Sequence, residues 1–167
     1  MSFRVAAFSC DGRVLAGAGT EGSSHSNFLL AAGSVQLWDI ASRQRLGQRL
    51  TLEATGPLLS VAFSPDGKVL AGADTLGQVH LWDVASRQPL GQSLTLATTG
   101  PAPVTSLAFS PDGKLLASGG YNGAVQLWDI ASRQRLGQPF ISGGFVPVGS
   151  LTFSPDGKVL ASTWPRW

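Results

Sequence analysis

The sequence predicts an all-β protein: a β-propeller of four-stranded antiparallel blades, incomplete, with three full blades and two strands of a fourth. Two recurring motifs and their spacing predict it. F-S-P-D-G stands at Phe63–Gly67, Phe109–Gly113 and Phe153–Gly157, with the altered form F-S-C-D-G at Phe8–Gly12. L-W-D stands at Leu37–Asp39, Leu81–Asp83 and Leu127–Asp129, each time followed by Ile or Val and then A-S-R-Q. The phenylalanines are 55, 46 and 44 residues apart, and the tryptophans 44 and 46. A self-similar period of that size belongs to stacked supersecondary units.

The third copy shows what one unit builds. V-T-S-L-A-F-S, from Val104, is a short run of β-branched and apolar residues. S-P-D-G follows with Pro and Asp at the central positions of a type I turn and Gly at the fourth. K-L-L-A-S-G-G is the next strand, and Asn122-Gly123 is a hairpin signal. In A-V-Q-L-W-D-I, Val125 and Leu127 fall on one face and Gln126 and Trp128 on the other. A-S-R-Q makes a further polar turn, and R-L-G-Q-P-F-I reads as a weaker fourth strand.

In chain order, residues 1–167 read as one propeller segment. Blade 1 runs over about residues 3–52, with strands at Phe3–Ser9, Arg13–Ala18, Val35–Ile40 and Leu46–Leu52. It carries 11 more residues between turn glycine and tryptophan than the other copies do, within Thr20–Ala32. Blade 2 covers about residues 58–96, blade 3 about 104–141, and a half blade 4 about 148–163 before the closing T-W-P-R-W. Propellers close with roughly four to eight blades. The expectation is therefore a fragment of a longer protein, a ring completed by another copy, or an open arc. Both end surfaces should be apolar, since stacked units bury their faces only against neighbours.

On these two motifs, occurring together three times over nearly the whole length, the chain resembles WD-repeat β-propeller proteins. The resemblance implies a non-catalytic protein–protein interaction scaffold, a fragment or remnant of a larger repeat protein. The near-identity of A-S-R-Q-R-L-G-Q, present twice, and A-S-R-Q-P-L-G-Q suggests recent amplification. One departure stands out. The family often sets a His before the first strand and an Asp in the hairpin between the second and third, linked to the Trp and a Ser or Thr. Here the segments before the first strands hold no His, and the hairpin positions are Ala32, Leu76 and Asn122. The polar network is expected to be missing from every blade.

Composition excludes several function classes. Twelve Lys and Arg against ten Asp and Glu make no case for a nucleic-acid partner. The single cysteine, Cys10, permits no intramolecular disulfide. No apolar run reaches the ~18 residues of a membrane span, and the N-terminus lacks a signal-peptide pattern. A cytoplasmic setting is the default.

No catalytic, metal-binding or cofactor-binding residue is assigned. Two distant histidines and one cysteine do not supply a metal's three or four converging ligands. His25 lies in a polar insert without a placed acid. His80 reads as a strand side chain on the Trp82 face, at a rim where its loss costs little. The repeated residues read as structural: Asp66, Gly67, Asp112, Gly113, Asp156 and Gly157 in turns, and Trp38, Asp39, Trp82, Asp83, Trp128 and Asp129 in third strands. An active site is normally unique, whereas a requirement of the fold recurs.

Sorting loops by blade end separates two rims. One holds the D-G-K and A-S-R-Q turns with mixed charge. The other holds Glu21, Glu53 and Asp74, no Lys or Arg, and the insert. Binding residues concentrate on loops held by a rigid scaffold, so Glu21, His25, Asn27 and Phe28 are the candidate partner-binding rim. The alternative is a small-ligand or carbohydrate-binding propeller using Tyr121, Trp164 and Trp167. The open edge at Lys158–Ser162 also predicts a homo-oligomer, a dimer being the simplest closed form.

Overall fold

The computed structural model describes residues 2–20, 33–51, 56–96, 102–141 and 146–164. Among these the chain is all-β, in four antiparallel sheets. Sheet 1 comprises β1 (Ser2–Phe8), β2 (Val14–Thr20), β3 (Gly33–Asp39), β4 (Gln44–Arg45) and β5 (Leu50–Thr51). Sheet 2 holds β6 (Leu58–Phe63), β7 (Val69–Asp74), β8 (Gln78–Asp83) and β9 (Leu94–Thr95). Sheet 3 holds β10 (Val104–Phe109), β11 (Leu115–Gly120), β12 (Ala124–Asp129) and β13 (Gln134–Ile141). Sheet 4 has two strands, β14 (Ser150–Phe153) and β15 (Leu160–Thr163). The architecture is that of an incomplete propeller.

Strand order within each sheet follows chain order, save that β5 pairs with β3. The register repeats. Trp38, Trp82 and Trp128 stand opposite Leu15, Leu70 and Leu116. The first strands share a register shift, at Phe3/Val5, Leu58/Ser60 and Val104/Ser106.

The outermost strands differ, and the sequence says why. In sheet 3, β13 runs eight residues, with Arg135 opposite Trp128. In sheet 2 that place is Pro89, which has no N–H to donate. It makes a single bridge to Trp82, and pairing resumes only at β9. In sheet 1 the one fourth strand expected over Leu46–Leu52 is two short pieces, β4 and β5, around Gly47 with φ +65°.

Period-two alternation gives every sheet two faces. One carries the tryptophan and packs against the preceding sheet. Trp82 lies in a core with Ala16, Ala18, Val35 and Leu37 of sheet 1. Trp128 lies in one with Ala71, Ala73, Val79 and Leu81 of sheet 2. Sheet 4 closes on sheet 3 through Val148 and Leu151 against Ala117 and Val125. Two of the junctions are thus copies of one arrangement, an indole laid on small and branched residues, while the third is made by Val148 and Leu151.

Candidate functional site

The repeated aspartates are built into turns. In the second copy the Ser64 hydroxyl donates to Asp66 Oδ1 at 2.6 Å, and the same oxygen accepts the Lys68 N–H at 3.1 Å. Ser64 Oγ in turn accepts the Val69 N–H at 2.9 Å, and the Gly67 N–H donates to the Ser64 carbonyl at 2.9 Å. Gly67 has φ +70° with open space around it, so backbone conformation and not crowding selects glycine. Asp11, Asp112 and Asp156 make the same 2.6 Å serine bond. Cys10 replaces the proline of the other copies without disturbing it.

A second set closes the third strands. Ser86 N–H and Oγ–H both donate to Asp83 Oδ1 at 2.7 Å. Ser42 and Ser132 do the same for Asp39 and Asp129. These seven carboxyls, Asp11, Asp39, Asp66, Asp83, Asp112, Asp129 and Asp156, sit below the ordinary value of 3.8. The serine donors stabilise the anion, the hydroxyl leading in six and the Ser132 N–H at Asp129. The residue after each Ser, Arg43, Arg87 or Arg133, is left-handed at φ 56–61°. Arg133 thereby reaches back one sheet, donating from Nη1 to the Leu90 carbonyl at 2.8 Å, and Arg135 does so to Thr95 at 2.8 Å.

The expectation that every sheet lacks a polar network is overturned. Asp74 is fully buried, and its Oδ2 lies 3.0 Å from His80 Nε2. Its Oδ1 accepts the N–H groups of Leu76 and Gln78 at 2.9 Å each. His80 in turn lies beside the Trp82 ring, centroids 6.0 Å apart. Asp74, expected on the acidic rim, is therefore buried, and His80 is its buried partner rather than a rim side chain. In sheet 3 the link takes another form: Trp128 Nε1–H donates to Ser118 Oγ at 2.8 Å, both residues being buried. Asn122 Oδ1 caps the hairpin by accepting the Ala124 N–H at 3.1 Å.

A sequence signal for the sheet 2 pair did exist. With Leu70 opposite Trp82, Gly72 is opposite His80 and Asp74 falls one step along the same face, diagonal to it. The family's usual Asp position is held here by Leu76, two residues beyond Asp74.

Glu21, His25, Asn27 and Phe28 lie outside the described residues, as does Trp167. The described surface contributes two apolar hollows instead. One, on the outer face of sheet 1, is lined by Phe3, Leu15, Trp38, Ile40 and Arg43. Trp38 is half-buried there, its ring edge-on to Phe3 at 5.1 Å, whereas Trp82 and Trp128 are 2% exposed. The other is a groove of about 440 Å³ where sheet 3 overhangs the two-stranded sheet 4, with Val125, Leu127, Phe140, Leu160 and Trp164 in its walls. Tyr121 is exposed and Trp164 partly so. Among the described residues no group of three His, Cys, Asp or Glu could hold a metal ion, and no helix is long and apolar enough to cross a membrane.

Comparison with known proteins agrees with the repeat geometry. The family model described as WD domain, G-beta repeat, matches residues 47–83 and 92–129. Each match ends on the aspartate of an L-W-D strand. No curated protein matches the chain.

Proposed function

We propose that this chain, a WD-repeat protein with two detected WD40 repeats, is a non-catalytic scaffold for protein–protein interaction. Such repeats generally serve that role. The observation that carries the reading is the exposed apolar surface on sheets 1 and 3. Phe3 is 48% exposed, Phe140 65% and Ile141 66%. Contiguous surface of this kind marks sites where another protein docks. The only thiol, Cys10, is exposed and unpaired, which suits the reducing cytoplasm.

The segment with Glu21, His25, Asn27 and Phe28 is proposed as the recognition element on the rim, its sequence being unique where everything else repeats. The same apolar faces give the chain a further partner in another copy of itself. Two measurements test these points. Affinity capture should return a specific, saturable protein ligand, and deletion of residues 21–30 should abolish that capture while leaving thermal unfolding cooperative. Undiminished capture would move the site off the rim, and no specific ligand from any source would sink the scaffold reading. Sedimentation should show association that rises with concentration; a dilution-independent monomer would remove the self-partner.

A further inference from the structure

Resting on the interaction reading, we propose that the edge of β15 and the groove beside it bind an extended peptide strand with a tryptophan set opposite Leu160. No strand among the described residues pairs with β15 on the side away from β14. The pairing on the β14 side fixes which groups face outward. The carbonyls of Val159 and Thr163 accept from Ser154 and Gly149, so the odd-numbered residues are turned toward β14. Antiparallel ladders alternate, which turns the N–H and C=O of Leu160 and Ser162 to the open side. Such an edge is a template for strand addition, in which backbone bonds supply affinity and alternate side-chain pockets supply selectivity.

The chain fills the equivalent edge three times with its own strands, and in two of them an earlier sheet lies against the indole. Trp82 pairs with Leu70 and Trp128 with Leu116, the counterparts of Leu160. Their indoles pack on Val35 and Leu37, and on Val79 and Leu81. The third such pair, Val125 and Leu127, forms the wall of the groove instead. These two residues and Leu160 also belong to the core that joins sheets 3 and 4, so the groove continues an interface already made. A side chain opposite Leu160 shares its face and enters that groove.

One residue selects the indole over other apolar rings. Ser162 is the counterpart of Ser118, whose hydroxyl accepts the Trp128 N–H. At Gly17 and Gly72, its counterparts in sheets 1 and 2, no such acceptor exists. Ser162 is thus a positioning acceptor for an incoming indole N–H, and the ligand class is an extended segment of the pattern apolar-x-apolar-Trp.

The probe is a fluorescein-labelled heptapeptide G-A-V-Q-L-W-D, titrated against the whole chain by fluorescence anisotropy. Saturable binding is expected, weakened at least tenfold when the peptide tryptophan becomes alanine. Ser162→Ala should weaken the tryptophan peptide about threefold or more and leave a phenylalanine peptide unchanged, because only the indole has an N–H to lose. Ser162→Pro should abolish binding. Hydrogen exchange on the wild-type chain gives a reading independent of any variant's folding: peptide should slow the Leu160 and Ser162 amides and not those of β13. Absence of saturation, equal affinity for the alanine peptide, or protection confined to another edge would each overturn the site. So would self-association that the peptide cannot dissolve but Ser162→Pro does, since a second copy would then cover the edge. Capture of a protein ligand unchanged by Ser162→Pro, with no peptide binding, would remove this site and leave the scaffold reading standing; loss of both would remove both.

Discussion

Sheets 2 and 3 share a backbone and a register yet hold their tryptophans by different means. In sheet 2 the ring of Trp82 lies close over Gly72, where an added Cβ would meet it at 2.9 Å. Polar support comes from the side, through His80 and Asp74. In sheet 3 the residue beneath the ring is Ser118, and the indole N–H bonds to it directly. Gln126 then stands where His80 does, its Nε2–H donating to the Leu127 carbonyl at 2.8 Å. Each sheet thus has its own polar contact beside the indole, a carboxylate–imidazole pair in sheet 2 and an indole–hydroxyl bond in sheet 3. Repeated backbones therefore fix where an indole goes, while the polar contacts around it can be exchanged locally.

The largest effect expected is from removing the indole. Trp82→Ala and Trp128→Ala should each destabilise the chain by about 3–5 kcal/mol, since both rings are buried in inter-sheet cores. Chemical denaturation measures this. A loss below about 1 kcal/mol at either position would mean that its junction is not packed as described.

His80→Ala should come next, at about 1–3 kcal/mol, because the buried Asp74 loses one partner and keeps only two backbone donors. His80→Gln should recover part of that loss, an amide N–H being able to replace the imidazole toward Asp74. Equal stabilities for His80→Ala and wild type would show that the pair contributes nothing to sheet 2 and erase its difference from sheet 3. Ser118→Ala is the matching change on the other side. It should cost about 1 kcal/mol by leaving the Trp128 N–H buried without an acceptor. Gly72→Ser, which would give sheet 2 the residue of sheet 3, should destabilise rather than help, because Trp82 occupies the space.

How legible all this was in the sequence follows from the scale of the interaction. Turns and strand order were readable because Ser64, Asp66 and Gly67 act within a few residues of one another, and the period repeats them. The tryptophan face was readable because parity along β8 and β12 places Val and Leu on one side and Trp on the other. The Asp74–His80 pair was not, since it depends on a diagonal across a hairpin and on a departure from the usual family positions. The open edge at Lys158–Ser162 was readable, but the groove beside it was not: it arises where Val125 and Leu127 project beyond a two-stranded neighbour, a relation between sheets that no single strand displays. The early break in the outer strand of sheet 2 could have been read from Pro89.

The smallest effects should fall where the two sheets are alike. Asp66 and Asp112 make the same serine bond at 2.6 Å and the same backbone bond at 3.1 Å, and both are held below 3.8 chiefly by the serine hydroxyl. Their nearby lysines, at 3.8 and 4.0 Å, are exposed and screened, so they add little. A carboxyl lowered on folding contributes stability that is complete above its unfolded value. That stability is lost as pH falls through the lower folded value. Below about 3.8 the wild-type chain should therefore lose stability, and Asp66→Asn and Asp112→Asn should each flatten that loss by a similar amount. The gap between each variant and wild type should narrow as pH falls. Urea midpoints measured between pH 6 and pH 2 test the equality. If Asp66→Asn changed the acid response and Asp112→Asn did not, the turns too would differ between sheets, and the contrast could no longer be assigned to the tryptophan surroundings alone.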